Sequence, residues 1–174
     1  FVIDDAPREM IDKWGDVCDD LHTDLHECLG HGSGQLLPGV SADALGSYGS
    51  TIEEARADLF GLYYIADPKL TELGLTPSLE AYRSQYYTYM MNGLLTQLTR
   101  IQPGNEIEEA HMRNRALIAR WTLEHYPSAV KLVEQDGKTY VEITDYLELR
   151  NAFATLLAEI QRIKSEGDFE AAHT

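Results

Sequence analysis

The chain has 174 residues and a mass of 19.6 kDa, enough for one domain with its own apolar core and too few for two full domains. Its 29 acidic against 14 basic residues give a formal net charge of -15, which repels phosphate backbones and anionic lipid heads and excludes nucleic acid and membrane surfaces as partners. Hydrophobic residues at 44% and charged residues at 25% exclude a disordered chain, and no stretch approaches the roughly 20 apolar residues that cross a bilayer.

Two cysteines, Cys18 and Cys28, make neither a disulfide framework nor a C-x-x-C unit, so a reducing, cytoplasmic compartment is expected. The chain starts at Phe1 without an initiator methionine or a signal-like segment, which leads to the expectation of a piece of a larger protein.

Apolar residues recur at helical spacing between Pro, Gly and capping residues, so a mainly α fold is predicted. A first helical block follows Pro7, and a second runs from about Asp19 to His31, where Gly32-Ser33-Gly34 breaks it. A long Gly/Ser-rich loop reaches Ser50; loops of that length inside compact domains tend to be functional or mobile. The next helix starts near Thr51 and ends by Asp67-Pro68, because proline disfavours helical geometry in the residue before it. After a short turn, a helix rich in Tyr, Leu and Met is predicted from Pro77 to Ile101, stopped by Pro103-Gly104. Asn105 then caps a partner helix to Tyr126, the two forming an antiparallel pair. Lys131 to Ile143 alternates around Asp136-Gly137, the signature of one small β-hairpin. Thr144 and Asp145 cap a last helix through Ser165, ended by Gly167.

His26-Glu27-Cys28-Leu29-Gly30-His31 places two imidazoles and a carboxylate on one helix, the ingredients of a zinc peptidase. The histidines stand at i and i+5, which in an ideal helix separates their rings by roughly 140° instead of the about 40° of an i, i+4 pair. A local widening to i→i+5 hydrogen bonding restores one side, and Gly30 makes it cheap, so a bulge is predicted around Leu29 and Gly30. Catalytic zinc takes three protein ligands and leaves one position for water. Glu53 and Glu54, in the first turn of the next helix, are the source of the third. Asp58, one turn beyond Glu54, can accept a hydrogen bond from a ligand histidine and fix its tautomer, and Glu53 is expected with it in that supporting place behind the ligands. The competing explanation is a capping box in which Ser50 or Thr51 caps that helix and Glu53 or Glu54 completes it; with Ser50 and Glu53 capping, Glu54 is still left for a metal.

With these residues in place, the sequence resembles the dipeptidyl peptidase III family of zinc peptidases. The resemblance rests on an H-E-x-x-G-H motif running into Gly-Ser-Gly, His26 to Gly34, and on an E-E-x-R-A-[ED] motif, Glu53 to Asp58. Gly61-Leu62-Tyr63 and Ala110-His111-Met112 extend it, over residues 20 to 125 in all. It implies one Zn2+ per chain held by His26, His31 and Glu54, with Glu27 activating the attacking water. His111 matches a family histidine that helps bind substrate and stabilise the transition state, and Arg115 shares its helix face as a second substrate-binding residue. Cys28 stands where the family often has leucine, and the loop from Gly32 to Ser50 looks shorter than in many relatives. The implied reaction is hydrolysis of oligopeptides with release of N-terminal dipeptides, on the helical lobe of a two-lobed protein whose second lobe lies outside this sequence. Two alternatives are a zinc-binding scaffold without activity of its own and a helical interaction module. His22 and His125 read as surface or capping histidines, and Tyr86-Tyr87-Tyr89-Met90-Met91 as core packing.

Overall fold

The structure, a computed structural model, describes residues 5–32, 35–41, 43–95 and 106–173. Helix α1, Asp5–Leu25, runs without interruption into a π-helical turn, His26–His31. The two blocks predicted here are therefore one. A 3-10 turn, Gly46–Tyr48, leads into α2, Gly49–Ile65. Then come α3, Pro68–Glu72, α4, Tyr82–Leu95, and α5, Glu106–His125. Strands β1, Val130–Gln135, and β2, Lys138–Ile143, precede α6, Tyr146–Glu166, and α7, Phe169–His173. The mainly α fold with one hairpin is as expected, and among the described residues no helix is long and apolar enough to cross a membrane.

Local chemistry accounts for most of the boundaries. Asp67 caps α3 by accepting from the Lys69 amide, with Pro68 at the first helical position, so a short helix forms where only a turn was predicted. Asp145 caps α6 by accepting from the Glu148 amide, while Thr144 instead donates to the Ser128 carbonyl at 2.5 Å. Asp136 and Gly137 both take positive φ, 53° and 75°, and so join the antiparallel strands in the register Gln135 to Lys138 and Val130 to Ile143. The start of α4 falls at Tyr82 rather than Pro77, because residues 79–81 form a turn; the predicted stop at Pro103-Gly104 and the Asn105 cap lie outside the described residues.

Helix α2 is the centre of the molecule. The π-turn and α1 cover one side of it and α6 another, with α4 and α5 completing the enclosure. Its buried face carries Ile52, Ala55, Leu59, Leu62 and Ile65 into a core shared with Tyr86, Met90, Ile118, Phe153 and Leu156. Helix α4 reads as core packing as expected: Tyr86, Tyr87, Tyr89 and Met90 are all buried. Their hydroxyls still find acceptors, Tyr86 on the Leu62 carbonyl at 2.6 Å and Tyr87 on the Val141 carbonyl at 3.0 Å, which ties α4 to α2 and to the hairpin. The long loop is fastened to α6, with the Leu37 amide donating to the Ser165 carbonyl and the Ser165 hydroxyl to the Gln35 carbonyl.

Candidate metal centre

The π-turn closes the gap that an ideal helix would leave between His26 and His31. With bonding widened to i→i+5, the two rings meet edge to face, centroids 4.7 Å apart, and their Nε2 atoms stand 3.0 Å apart. The turn presses closely on α2: a Cβ on Gly30 would lie 2.6 Å from the Ala57 Cα. Only glycine fits that approach. The fully buried Arg56 guanidinium donates from Nη2 to the Gly30 carbonyl at 2.7 Å, fastening the turn to α2.

Each imidazole is oriented by a carboxylate of α2. His26 Nδ1 donates to Asp58 Oδ1 at 2.6 Å and His31 Nδ1 to Glu53 Oε1 at 3.0 Å. Around Asp58, burial pushes the carboxyl pKa up, but the His26 hydrogen bond and neighbouring imidazoles outweigh it and hold it below the usual value. The His26 imidazole is shifted upward, chiefly by its bond to Asp58. Burial likewise opposes ionisation of Glu53, and hydrogen bonds from Arg56, Lys164 and His31 overcome it, leaving the carboxyl at about 2. The capping box that was the competing explanation for Glu53 does not form, and Glu53 stands behind His31 instead. Helix α2 begins at Gly49 with Tyr48 at its cap position and no side-chain cap bond, so neither Ser50 nor Thr51 plays that part.

Committing both Nδ1 atoms to carboxylates turns both Nε2 atoms inward, towards each other and towards Glu54. Glu54 Oε2 lies 3.3 Å from His26 Nε2, and Oε1 lies 3.3 Å from His31 Nε2. Glu54 Oε2 is buried and has no hydrogen-bond partner. Two imidazole lone pairs at 3.0 Å repel unless a cation lies between them, and a proton would satisfy one pair while leaving the Glu54 oxygen orphaned. Donors on a tetrahedral zinc with bonds of about 2.0–2.1 Å stand about 3.3 Å from one another. The residues present fit that ion in both chemistry and spacing.

Glu27 differs in position from Glu54. Its side chain is 65% exposed, with Oε1 3.9 Å from His26 Nε2, although its oxygen lies within 4.8 Å of both histidine donor atoms. Enclosure and the two matched 3.3 Å contacts favour Glu54 as the third donor and leave Glu27 at the rim. His111, on α5, reaches the same place, Nδ1 lying 3.7 Å from Glu54 Oε2 and its ring 6.5 Å from that of His26.

Arg115 is exposed and is placed elsewhere, on a neighbouring cavity of about 430 Å³ whose walls include Asp12, Asp19, His22, Gln85 and Tyr89. His22 is not on the surface: it is buried, with Nε2 3.2 Å from the Asp58 carbonyl. His125 is exposed, stacks on Trp121 and donates to its carbonyl. Sequence reasoning assigned no part to Arg56 or Lys164 and read Tyr89 as core packing alone. Arg56 stood inside the quoted motif, one turn from Glu53, and that spacing was a usable signal; Lys164 and Tyr89 arrive from α6 and α4 and carry none.

A mainly helical fold that converges two imidazoles and a glutamate on one point, with a second glutamate at the rim, has the make-up of a metallopeptidase centre. Residues 40–174 match the model of "Peptidase family M49", and the chain belongs to that family. The match takes in Glu53, Glu54, Arg56 and Asp58, while His26 to His31 precede it. Among solved structures, the chain is similar to DPP III from Caldithrix abyssi, with a TM-score of 0.63 and 23% identity over 88% of this chain and 28% of that one. It is also similar to dipeptidyl-peptidase III from Corallococcus sp. strain EGB, with a TM-score of 0.61 and 26% identity over 88% of this chain and 27% of that one. The chain thus spans less than a third of the length of either neighbour.

Proposed function

We propose that the protein hydrolyses peptide bonds with one Zn2+ at this centre, and that the complete polypeptide releases dipeptides from the amino termini of oligopeptides. The observation that carries the reading is the inward pair of Nε2 atoms, 3.0 Å apart, facing a Glu54 oxygen that is buried without a partner. His26, His31 and Glu54 would hold the ion. When bound, zinc polarises the scissile carbonyl and lowers the pKa of its water towards about 7.

Glu27, exposed at the rim, takes the proton of the attacking water and passes it to the leaving amine. His111 donates a hydrogen bond to the developing oxyanion. Arg115 receives peptide carbonyls or a carboxylate that reach its cavity. The dipeptide specificity draws support from the two structural neighbours; gripping the substrate's amino terminus is assigned to a second lobe of the same polypeptide. A cytoplasmic location belongs to the same proposal, on the sequence's two cysteines without a disulfide framework.

Elemental analysis of the purified protein tests the centre. About one zinc per chain is expected, lost in His31→Ala and in Glu54→Ala. Glu27→Gln is expected to keep the zinc while peptide hydrolysis falls by about 10²–10⁴-fold. Undiminished hydrolysis in that variant overturns the mechanism, and a zinc-loaded protein that turns over no oligopeptide leaves only a scaffold.

A further inference from the structure

Tyr89 lies in the tyrosine-rich stretch of α4 and is 3% exposed, so its ring is core. Its hydroxyl is not. It leaves the apolar interior and donates to Asp58 Oδ2 at 3.0 Å, while the other oxygen of the same carboxylate accepts from His26 Nδ1 at 2.6 Å. We propose that Tyr89 is a positioning residue of the metal centre: its hydroxyl fixes the Asp58 carboxylate that aims His26. The inference rests on the zinc reading above.

The two oxygens of Asp58 are in different situations without Tyr89. A buried carboxylate oxygen with no donor costs free energy, and the group is then free to turn about its Cβ–Cγ bond and take the His26 ring with it. Tyr89 closes that freedom. A second tie comes through the backbone. Gln85 Nε2 donates to His22 Nδ1 at 3.3 Å, which makes the other ring nitrogen the protonated one, and that Nε2 donates to the Asp58 carbonyl at 3.2 Å. One tautomer satisfies both bonds, and the His22 and Tyr89 rings pack edge to face at 5.9 Å. Asp58 is thus held at its carboxylate from α4 and at its carbonyl from α1. The two histidines are supported by unlike means: Glu53, behind His31, is gripped by the charges of Arg56 and Lys164, and Asp58, behind His26, by a tyrosine hydroxyl.

The test is the zinc dissociation constant, measured by competition with a chromophoric chelator, for the unaltered protein, Tyr89→Phe and Tyr87→Phe. Tyr87 is the matched control, equally buried but donating to the Val141 carbonyl away from the centre. Both variants remove a buried hydroxyl that donates to an oxygen, so a merely structural role moves them alike. The constant is expected to rise about tenfold in Tyr89→Phe, the low end of the range for partners of metal ligands, and to stay unchanged in Tyr87→Phe. In an Asp58→Asn background the Tyr89 substitution should add nothing. Should Tyr89→Phe not fold, the Tyr89 hydroxyl proton of the unaltered protein is expected to exchange slowly and to shift in its NMR spectrum when zinc is added. Equal zinc constants in the two tyrosine variants, or a hydroxyl resonance indifferent to zinc, overturn the inference and leave the zinc reading standing. No zinc bound by the unaltered protein overturns both.

Discussion

Cys18 and Cys28 lie on successive stretches of one continuous helical run yet occupy opposite environments. Cys18 is fully buried, its thiol donates to the Ala81 carbonyl at 3.2 Å, and burial pushes its pKa up to about 11. Cys28 is exposed on the π-turn. Since the thiolate is the reactive form, a disulfide reagent at mild alkaline pH should titrate one thiol quickly and the second only after denaturation. Two fast thiols would show that α1 does not pack on the segment before α4 as described. At the same scale, Asp58→Asn exchanges an ionic acceptor for a neutral amide behind His26. Zinc affinity is expected to drop 10–100-fold, read by chelator competition, with the helical content unchanged by circular dichroism.

The π-turn is the element on which the site depends. An i, i+5 pair is useless to one ion in regular helix, and the widening over His26–His31 converts it into a matched pair. Gly30 permits this by its close approach to α2, where a side chain would have no room. In Gly30→Ala the new methyl would meet the backbone of Ala57, which cannot step aside as a side-chain tip can. The variant is expected to lose about 1–3 kcal/mol in urea unfolding, as overpacked sites do, and to bind less zinc because His31 is pushed out of register. The turn was anticipated from spacing alone. The continuity of α1 into it was not: the sequence reads as two blocks meeting near Asp19, whereas one helix runs from Asp5 straight into the turn.

Across the whole molecule, α2 is both the core helix and the carrier of the carboxylates, so core packing and site geometry are one problem. Helix α6 packs on α2 and sends Lys164 to Glu53 and Gln161 to Arg56. Phe153→Ala, at a fully buried position of α6, should cost about 3–5 kcal/mol and weaken zinc binding as well. A substitution of similar cost that left zinc affinity untouched would separate the two roles. A metal that binds only the folded chain stabilises it by mass action, about 2.7 kcal/mol at a hundredfold excess over its dissociation constant. For a chain of this size that corresponds to a rise in Tm of roughly 5–10 °C, expected to vanish with a chelator and return with zinc.

The parts of this protein that sequence determined by itself are those governed by rules acting within a few residues. Asp136-Gly137 sets the hairpin because positive φ at two successive positions is a local demand, and Asp145 caps α6 because its acceptor reaches an amide one turn away. The spacing of His26, His31, Glu53, Glu54 and Asp58 was legible for the same reason: helical geometry converts sequence distance into direction. Only the tertiary structure decided the rest. Whether Glu53 caps a helix or orients His31 depends on Arg56 and Lys164, the latter 111 residues away. Whether Tyr89 and His22 are packing or support depends on where α4 and α1 deliver their polar ends. Arg115 shares a helix with His111 and still faces a different cavity. Long-range partners are chosen by how helices close around one buried carboxylate-bearing helix, and no periodicity along the chain encodes that choice.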